Sequence, residues 1–71
     1  MKNVFHERLK KLRLEKEISQ AKIAVIFKIS QQTYSFWELG KFEPDIETIK
    51  AIAGFFDVSV DYLVGASNSF N

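Results

Sequence analysis

The 71-residue sequence has no cysteine, one histidine, one proline and only three glycines. Without cysteine it cannot contain disulfides, a thiol nucleophile or a cysteine-based zinc site, which suits a reducing compartment. No apolar run approaches the roughly 20 residues that span a bilayer, and the N-terminus has no signal-peptide pattern. These absences predict a single cytoplasmic domain with no membrane segment, metal or organic cofactor, held together by its hydrophobic core.

Charge is unevenly distributed along the chain. Residues 1–41 contain nine Lys or Arg against four Glu, a balance of +5, whereas residues 42–71 contain one Lys against five Asp or Glu, a balance of −4. A basic end of this kind can orient a protein toward a polyanion even though the net charge is only +1. Charges scattered over solvated helix faces would give the same distribution, so both interpretations stay open.

Apolar residues recur at helical spacing throughout, which predicts an all-α fold of five short helices. They should cover about residues 4–17, 20–27, 31–39, 46–56 and 60–64. The residues suited to N-caps are Ser19, Ser30 and Ser59, and those suited to C-terminal stops are Gly40 and Gly65. The expected core stripes are Phe5, Leu9, Leu12, Ile23, Ala24, Phe27, Ile46, Ile49, Ile52, Ala53 and Phe56. Residues 1–65 form the expected domain, and 66–71 form a short flexible tail.

The connection between the second and third predicted helices is short. Only Lys28 and Ile29 separate Phe27 from Ser30. A turn of this length favours a steep crossing over an antiparallel pair, which is the helix-turn-helix arrangement. Small helical domains of several kinds contain such a corner, so the motif alone is only moderately specific.

The third predicted helix has two chemically different faces. At about 100° per residue, Tyr34 and Trp37 lie on one face and are expected to pack in the core. The opposite face collects Gln31, Gln32, Ser35, Phe36 and Leu39. The helix therefore has an apolar anchor and a separate outward surface.

The outward residues have side chains suited to reading bases. A glutamine amide can pair with the major-groove acceptor and donor of adenine, and Phe36 can pack on a thymine methyl. At the start of the second helix, Ser19 and Gln20 are suited to contact a phosphate. The alternative is that Gln31 and Gln32 are merely polar surface residues, because adjacent glutamines are common on solvated helices.

From Leu9 to Gly65 the sequence resembles the lambda-type repressor and Cro helix-turn-helix family. The segments that carry the resemblance are, in chain order, LKKLR, ISQAKIA, SQQ, WELGKFEPDIETIKAIA and FFDVSVDYLVG. Their shared order and spacing are more specific than any one motif. SQQ is similar to the start of the recognition helix in phage repressors that begin it with a glutamine pair. The resemblance implies a compact five-helix, lambda-repressor-like DNA-binding domain.

The resemblance also implies roles for individual residues. It implies that Arg13 forms an ion pair with Glu38, which ties the first helix to the third. It implies that Gln20 contacts a phosphate and braces the first recognition glutamine. The implied base contacts in the major groove are Gln31, Gln32, Ser35 and Phe36.

The sequence departs from the family pattern at three positions. Lys28 occupies a place where glycine is common, because the residue there tends to adopt a positive φ; lysine can do so at an energetic cost, and its charge can then reach a phosphate. Leu39 replaces a polar residue, and Glu43 lies where relatives often have a basic one. The expected phosphate contacts therefore also include lysines outside this turn, namely Lys41, Lys10 and Lys11.

The expected function is sequence-specific regulation of transcription, by repression through promoter occupancy. A homodimer would place two recognition helices in successive major grooves of a near-palindromic operator on double-stranded DNA, with half-sites about 10 base pairs apart. The resemblance points to a dimer surface near the fifth helix. The apolar candidates for it, which are also candidates for the core, are Phe42, Phe55, Val60 and Phe70.

Two other classes of function compete with DNA-binding regulation. An antitoxin or adaptor would have a protein as its main partner, and the apolar Phe36 and Leu39 on the outer face are compatible with that. An enzyme is disfavoured, because His6 is the single histidine and no cysteine accompanies it. No feature of the sequence indicates a small-molecule ligand.

Overall fold

Residues 4–66 are described by a computed structural model, and in this range the chain is helical without strands. The helices are α1 (Phe5–Glu15), α2 (Gln20–Ile26), α3 (Gln31–Leu39), α4 (Ile46–Phe56) and α5 (Val60–Val64). The predicted all-α, five-helix architecture is confirmed. The bounds of α3, α4 and α5 agree with the prediction, whereas α1 and α2 are slightly shorter than expected. No helix within the described range is long and apolar enough to cross a membrane.

Short polar side chains begin four of the helices. The hydroxyls of Ser19, Ser30 and Ser59 each accept a hydrogen bond from the backbone amide three residues later, as the sequence predicts. Asp45 does the same for α4 by accepting from the amide of Thr48 at 2.9 Å. Each cap satisfies an amide that has no partner within its helix, so the chain fixes where α2 to α5 start.

A residue with positive φ follows each helix and stops it. Two are the expected glycines, Gly40 (φ 79°) and Gly65 (φ 92°). The other three are not glycine: Glu17 (φ 58°), Lys28 (φ 60°) and Asp57 (φ 57°). The left-handed conformation lets the next amides bond back to the last carbonyls of the helix, which ends it within one turn. This is why α1 and α2 stop earlier than their apolar spacing alone suggests.

The core draws side chains from all five helices. Its buried apolar members are Phe5, Leu9, Leu12, Ile23, Ala24, Tyr34, Trp37, Ile49, Ile52, Ala53, Phe56, Tyr62 and Leu63. The α1 helix packs on α3 and α5, α2 packs on α3, and α4 packs on α5. The helix that carries the two glutamines is therefore held by both α1 and α2.

Two predicted core residues differ from the expectation. Phe27 is only half-buried and packs at the core margin, with its ring centroid 5.5 Å from that of Phe55. The prediction for Ile46 is wrong, because this side chain is 54% exposed. Ile46 is the first residue of α4, and its neighbours Asp45 and Glu47 are also exposed, so this first turn lies outside the packed core.

Candidate nucleic-acid interface

A tight turn connects α2 to α3. Lys28 adopts φ 60°, which is the positive φ expected at this position. Its amide bonds to the carbonyl of Val25, and the amide of Ile29 bonds to the carbonyl of Ala24 at 3.0 Å. Ile29 packs against the core, and Ser30 then caps α3. The start of α3 is thus set by backbone hydrogen bonds and by the packing of the partly buried Ile29 against the core.

The inner face of α3 is aromatic and buried. Tyr34 and Trp37 lie in the core, as predicted, with ring centroids 5.9 Å apart and planes inclined by 63°. Such an edge-to-face pair is a favourable arrangement of two aromatic rings. It leaves the helix little freedom to rotate about its own axis, so the opposite side chains have a defined direction.

The outer face of α3 carries the predicted base-contacting residues. Gln31 and Gln32 are exposed in the first turn, and Ser35 and Phe36 are half-buried. Leu39 is 61% exposed at the end of the helix. Within residues 4–66, neither glutamine side chain is engaged in a hydrogen bond, so both amides are available to a ligand.

A buried ion pair joins α1 to α3. Nε of Arg13 lies 2.6 Å from Oε2 of Glu38, and its Nη2 lies 3.2 Å from Oε1 of the same carboxylate. The two side chains are only 10% and 3% exposed. Arg13 also donates to the carbonyl of Ile18 at 2.9 Å. The pair implied by the resemblance is thus present, and Arg13 is occupied within the fold.

Glu38 accepts two further hydrogen bonds. The hydroxyl of Tyr34 donates to Oε2 at 2.5 Å, and Nε2 of Gln20 donates to Oε1 at 3.0 Å. Burial alone raises the pKa of Glu38, but the hydrogen bonds from Arg13, Tyr34 and Gln20 outweigh it and hold the pKa below its ordinary value of 4.5. Burial and the neighbouring carboxylate raise the pKa of Tyr34, so its hydroxyl stays protonated. We refer to Arg13, Gln20, Tyr34 and Glu38 as the Glu38 network.

Gln20 differs from its implied role in one respect. Its side chain was expected to brace the first recognition glutamine, Gln31. Among the described residues, its hydrogen bond goes instead to Glu38. The buried carboxylate in α3 is a stronger acceptor than an exposed amide, because it carries a full charge in a poorly solvated site. Gln20 is half-buried at the start of α2 and belongs to the Glu38 network.

The four lysines predicted to contact phosphates are all exposed, and they lie on different parts of the fold. Lys10 and Lys11 lie on α1, Lys28 lies in the turn before α3, and Lys41 follows α3. Nζ of Lys41 lies 5.6 Å from the ring centroid of Phe36. The hydroxyl of Ser19 accepts from the amide of Lys22 at 3.0 Å, so it serves as a cap in this structure.

The contact between Phe36 and Phe42 was not predicted from the sequence. The ring of Phe42 packs against that of Phe36, with centroids 5.3 Å apart and planes inclined by 71°. Phe42 is a candidate for the core or for a dimer surface; because it is 60% exposed it is not a core residue, and its place at a dimer surface stays a prediction. The position of Gly40 could have indicated the contact between Phe42 and Phe36, because a chain that reverses there returns its next residues toward the end of α3. Of the other dimer candidates, Phe55 and Val60 pack against the core, and Phe70 lies outside the described residues.

Comparisons with known proteins agree with the helix-turn-helix arrangement of α2 and α3. A family model described as helix-turn-helix matches residues 9–63. The SPbeta prophage-derived HTH-type transcriptional regulator YonR of Bacillus subtilis (strain 168) is 38% identical over 66 residues, which cover 93% of this chain and 61% of the relative. The HTH-type transcriptional activator BcrR of Enterococcus faecalis is 38% identical over 60 residues, covering 84% of this chain and 29% of the relative.

A phage protein also matches. The cryptic phage CTXphi transcriptional repressor RstR of Vibrio cholerae is 29% identical over 66 residues, which cover 93% of this chain and 60% of the relative. The chain thus spans 61% of the length of YonR and less than a third of BcrR. The proteins named here are transcriptional regulators, and their names include both directions of control.

Proposed function

Since the chain belongs to the helix-turn-helix family of transcriptional regulators, we propose that it binds double-stranded DNA sequence-specifically by inserting α3 into the major groove. The chief support is the division of α3 into a buried aromatic face and an outer face with two unengaged glutamines. A rigid helix with free amides on one side is what direct readout of base edges requires. We take residues 1–65 as the DNA-binding domain, and we expect it in the cytoplasm with its DNA.

Base recognition is assigned to the outer face of α3. Gln31 and Gln32 are proposed to pair with adenine edges, and Ser35 and Phe36 to contact the next bases along the groove. The Phe36 ring is suited to a thymine methyl, because neither group offers a hydrogen bond and both lose water on contact. These four residues supply specificity, whereas affinity comes mainly from phosphates.

Phosphate contacts are assigned to exposed cations and polar groups around α3. Lys28 and Lys41 flank α3 at its two ends, and Lys10 lies on α1. Ser19 and Gln20 lie at the start of α2, and the hydrogen bond from Gln20 to Glu38 fixes the direction of its side chain. Each lysine that neutralises a phosphate releases counterions, so affinity should fall steeply with salt.

A homodimer on a near-palindromic operator is the proposed assembly. Two copies of α3 would enter successive major grooves on one face of the duplex, with half-sites about 10 base pairs apart. We propose repression, in which the bound dimer occupies a promoter and excludes polymerase. RstR is named a repressor and BcrR an activator, so both directions of control occur among the relatives. Expression from a promoter fused to a reporter, with and without the operator, tests repression by this protein.

Selection of binding sites from random DNA tests the proposal. We expect wild-type protein to enrich a near-palindrome, and Gln31→Ala and Gln32→Ala each to lose preference at one position per half-site. Lys50→Ala, an exposed substitution on α4, is the matched control and should select the wild-type site. Absence of any sequence preference at low salt would exclude the regulator function. Sedimentation of the complex should give two chains per operator.

A protein-binding module is the second candidate function. Leu39 and Phe42 are 61% and 60% exposed, and exposed apolar side chains of this size occur at protein interfaces. An antitoxin or adaptor would retain its protein partner when the glutamines are replaced, and its DNA binding would be secondary or lost. Co-purification of a protein partner that both glutamine variants retain would favour this candidate.

A further inference from the structure

We propose that Phe42 is a specificity-determining residue that positions the ring of Phe36 for contact with a thymine methyl, without itself contacting a base. This role rests on the proposed function and assigns part of its specificity to a residue outside α3. Phe42 lies in the segment after the helix, and its ring is in edge-to-face contact with Phe36, at a centroid separation of 5.3 Å.

The turn that ends α3 is what brings the two rings together. Gly40 adopts φ 79°, and its amide bonds to the carbonyl of Trp37. The amide of Lys41 bonds back to the carbonyl of Phe36 at 3.0 Å. These two hydrogen bonds form the left-handed termination typical of helices that stop at glycine, and they reverse the chain. The next residue, Phe42, is thereby returned to the side of α3 that carries Phe36.

The exposure of Phe42 indicates that it does not serve as a core residue. Its side chain is 60% exposed, whereas the core aromatics Tyr34 and Trp37 are buried. Its ring contact is with Phe36, which is itself half-buried on the outer face of α3. The Phe42 ring thus covers part of a proposed base-reading side chain and leaves the rest of that side chain accessible.

Contact with Phe42 restricts the orientations open to the Phe36 ring. An unsupported phenylalanine on a helix surface exchanges between rotamers, and it loses that freedom when it binds. Edge-to-face packing favours one ring orientation before binding, and Nζ of Lys41, 5.6 Å from the ring centroid, lies beside the same ring. A ring already held in place can distinguish a base with a methyl group from one without it, because it cannot turn aside to fill the gap.

Replacing thymidine by deoxyuridine tests this role, because their bases differ only in the 5-methyl group. With the selected operator, wild-type protein should bind about fourfold more weakly for each half-site in which one particular thymine is replaced, as expected for one buried methyl. Phe36→Ala should abolish that ratio. Phe42→Ala should also bring the ratio close to one, while preferences at the glutamine-contacted positions are retained.

Leu14→Ala is the matched control, because Leu14 is also apolar and 54% exposed but lies on α1. It should keep the wild-type thymine-to-deoxyuridine ratio, and thermal unfolding should show that every variant is folded. The role of Phe42 is overturned if Phe42→Ala retains the full ratio, or if no thymine in the operator shows a methyl effect. Both outcomes leave sequence-specific binding intact, whereas a wild type without sequence preference removes the proposed function itself.

Discussion

The hydroxyl of Tyr34 lies 2.5 Å from Oε2 of Glu38, one helical turn further along α3. The same carboxylate accepts hydrogen bonds from Arg13 on α1 and from Gln20 at the start of α2. Glu38 therefore joins three helices through one buried charge. Because Gln20 is also a proposed phosphate contact, the network connects the stability of the core to the DNA-facing surface.

Removing the Tyr34 hydroxyl should lower stability measurably. Tyr34→Phe keeps the ring in the core but takes one donor from a buried carboxylate, and a hydrogen bond to a charged group contributes about 1.5–3 kcal/mol. Urea denaturation should show a loss of that size in the free energy of unfolding. Thr33→Val is the control, because it removes an exposed hydroxyl from the same helix and should cost less than about 0.5 kcal/mol. Equal losses in the free energy of unfolding for the two variants would show that the hydrogen bond from Tyr34 to Glu38 contributes no more stability than an exposed hydroxyl does.

Breaking the buried ion pair from one side should be far more damaging than replacing both partners. Arg13→Met leaves the Glu38 carboxylate without its cation, which costs about 3–5 kcal/mol when a buried charge is stranded. The double variant Arg13→Met, Glu38→Met removes both charges and should unfold at a higher temperature than either single variant. Circular dichroism on the four proteins measures the coupling. Additive losses in the double variant would show that the two charges act independently.

Stability should fall in acid because of Glu38. Its pKa is held below the ordinary 4.5 in the folded protein, so the unfolded chain binds a proton first as the pH drops. The contribution of the carboxylate is complete above about pH 4.5 and is lost as the pH falls through the lower folded value. Carbon NMR titration should give Glu38 a midpoint below 4.5, and urea midpoints should decline over the same range.

Asp45 provides the control for that titration. The hydrogen bond from Thr48 also lowers the pKa of this exposed carboxylate, so Asp45 adds to the decline in the same direction. Asp45→Asn keeps an acceptor at the start of α4 while removing the titrating group. The decline below pH 4.5 should persist in this variant. If it disappears, the acid sensitivity belongs to the cap of α4 and not to the Glu38 network.

The helices could be predicted well from the sequence because their boundaries are set locally. The hydroxyl of Ser30 and the backbone freedom of Gly40 act within one turn of the chain, so both could be identified from residue type. Partner choice is not local: Gln20 bonds to Glu38 because the α2–α3 packing brings an amide to a buried carboxylate. The exposure of Ile46 was also missed, because helical spacing identifies a stripe but not where that stripe leaves the core.

Two glycines should respond in opposite directions to the same substitution. Gly54 lies inside α4, and a Cβ built there meets no atom within 4 Å, so Gly54→Ala should stabilise the protein by about 0.5–1 kcal/mol. Gly40 has φ 79°, and a Cβ there would lie 3.4 Å from Cγ of His6. Gly40→Ala should therefore destabilise by about 1–2 kcal/mol. Thermal unfolding of the two variants checks both signs, and a stabilised Gly40→Ala would contradict the assigned stop.

Lys28→Gly should separate stability from DNA binding. Lys28 has φ 60°, which is unfavourable for a residue with a Cβ, so glycine should raise the free energy of unfolding by about 0.5–1 kcal/mol after its own entropic cost. If the lysine contacts a phosphate, the same variant should bind its operator more weakly. The slope of log affinity against log salt should then become shallower by about 0.9 per chain.

Asp57→Gly is the matched control for Lys28→Gly. Asp57 stops α4 with nearly the same φ, 57°, so glycine there should also stabilise the fold, but by less, because Asp tolerates a positive φ better than Lys does. The salt slope of DNA binding should stay unchanged, because no cation is removed. If the Lys28→Gly protein is more stable but keeps the wild-type slope of log affinity against log salt, Lys28 does not contact a phosphate. Only a stability gain combined with a shallower slope supports the assignment of Lys28 to the DNA backbone.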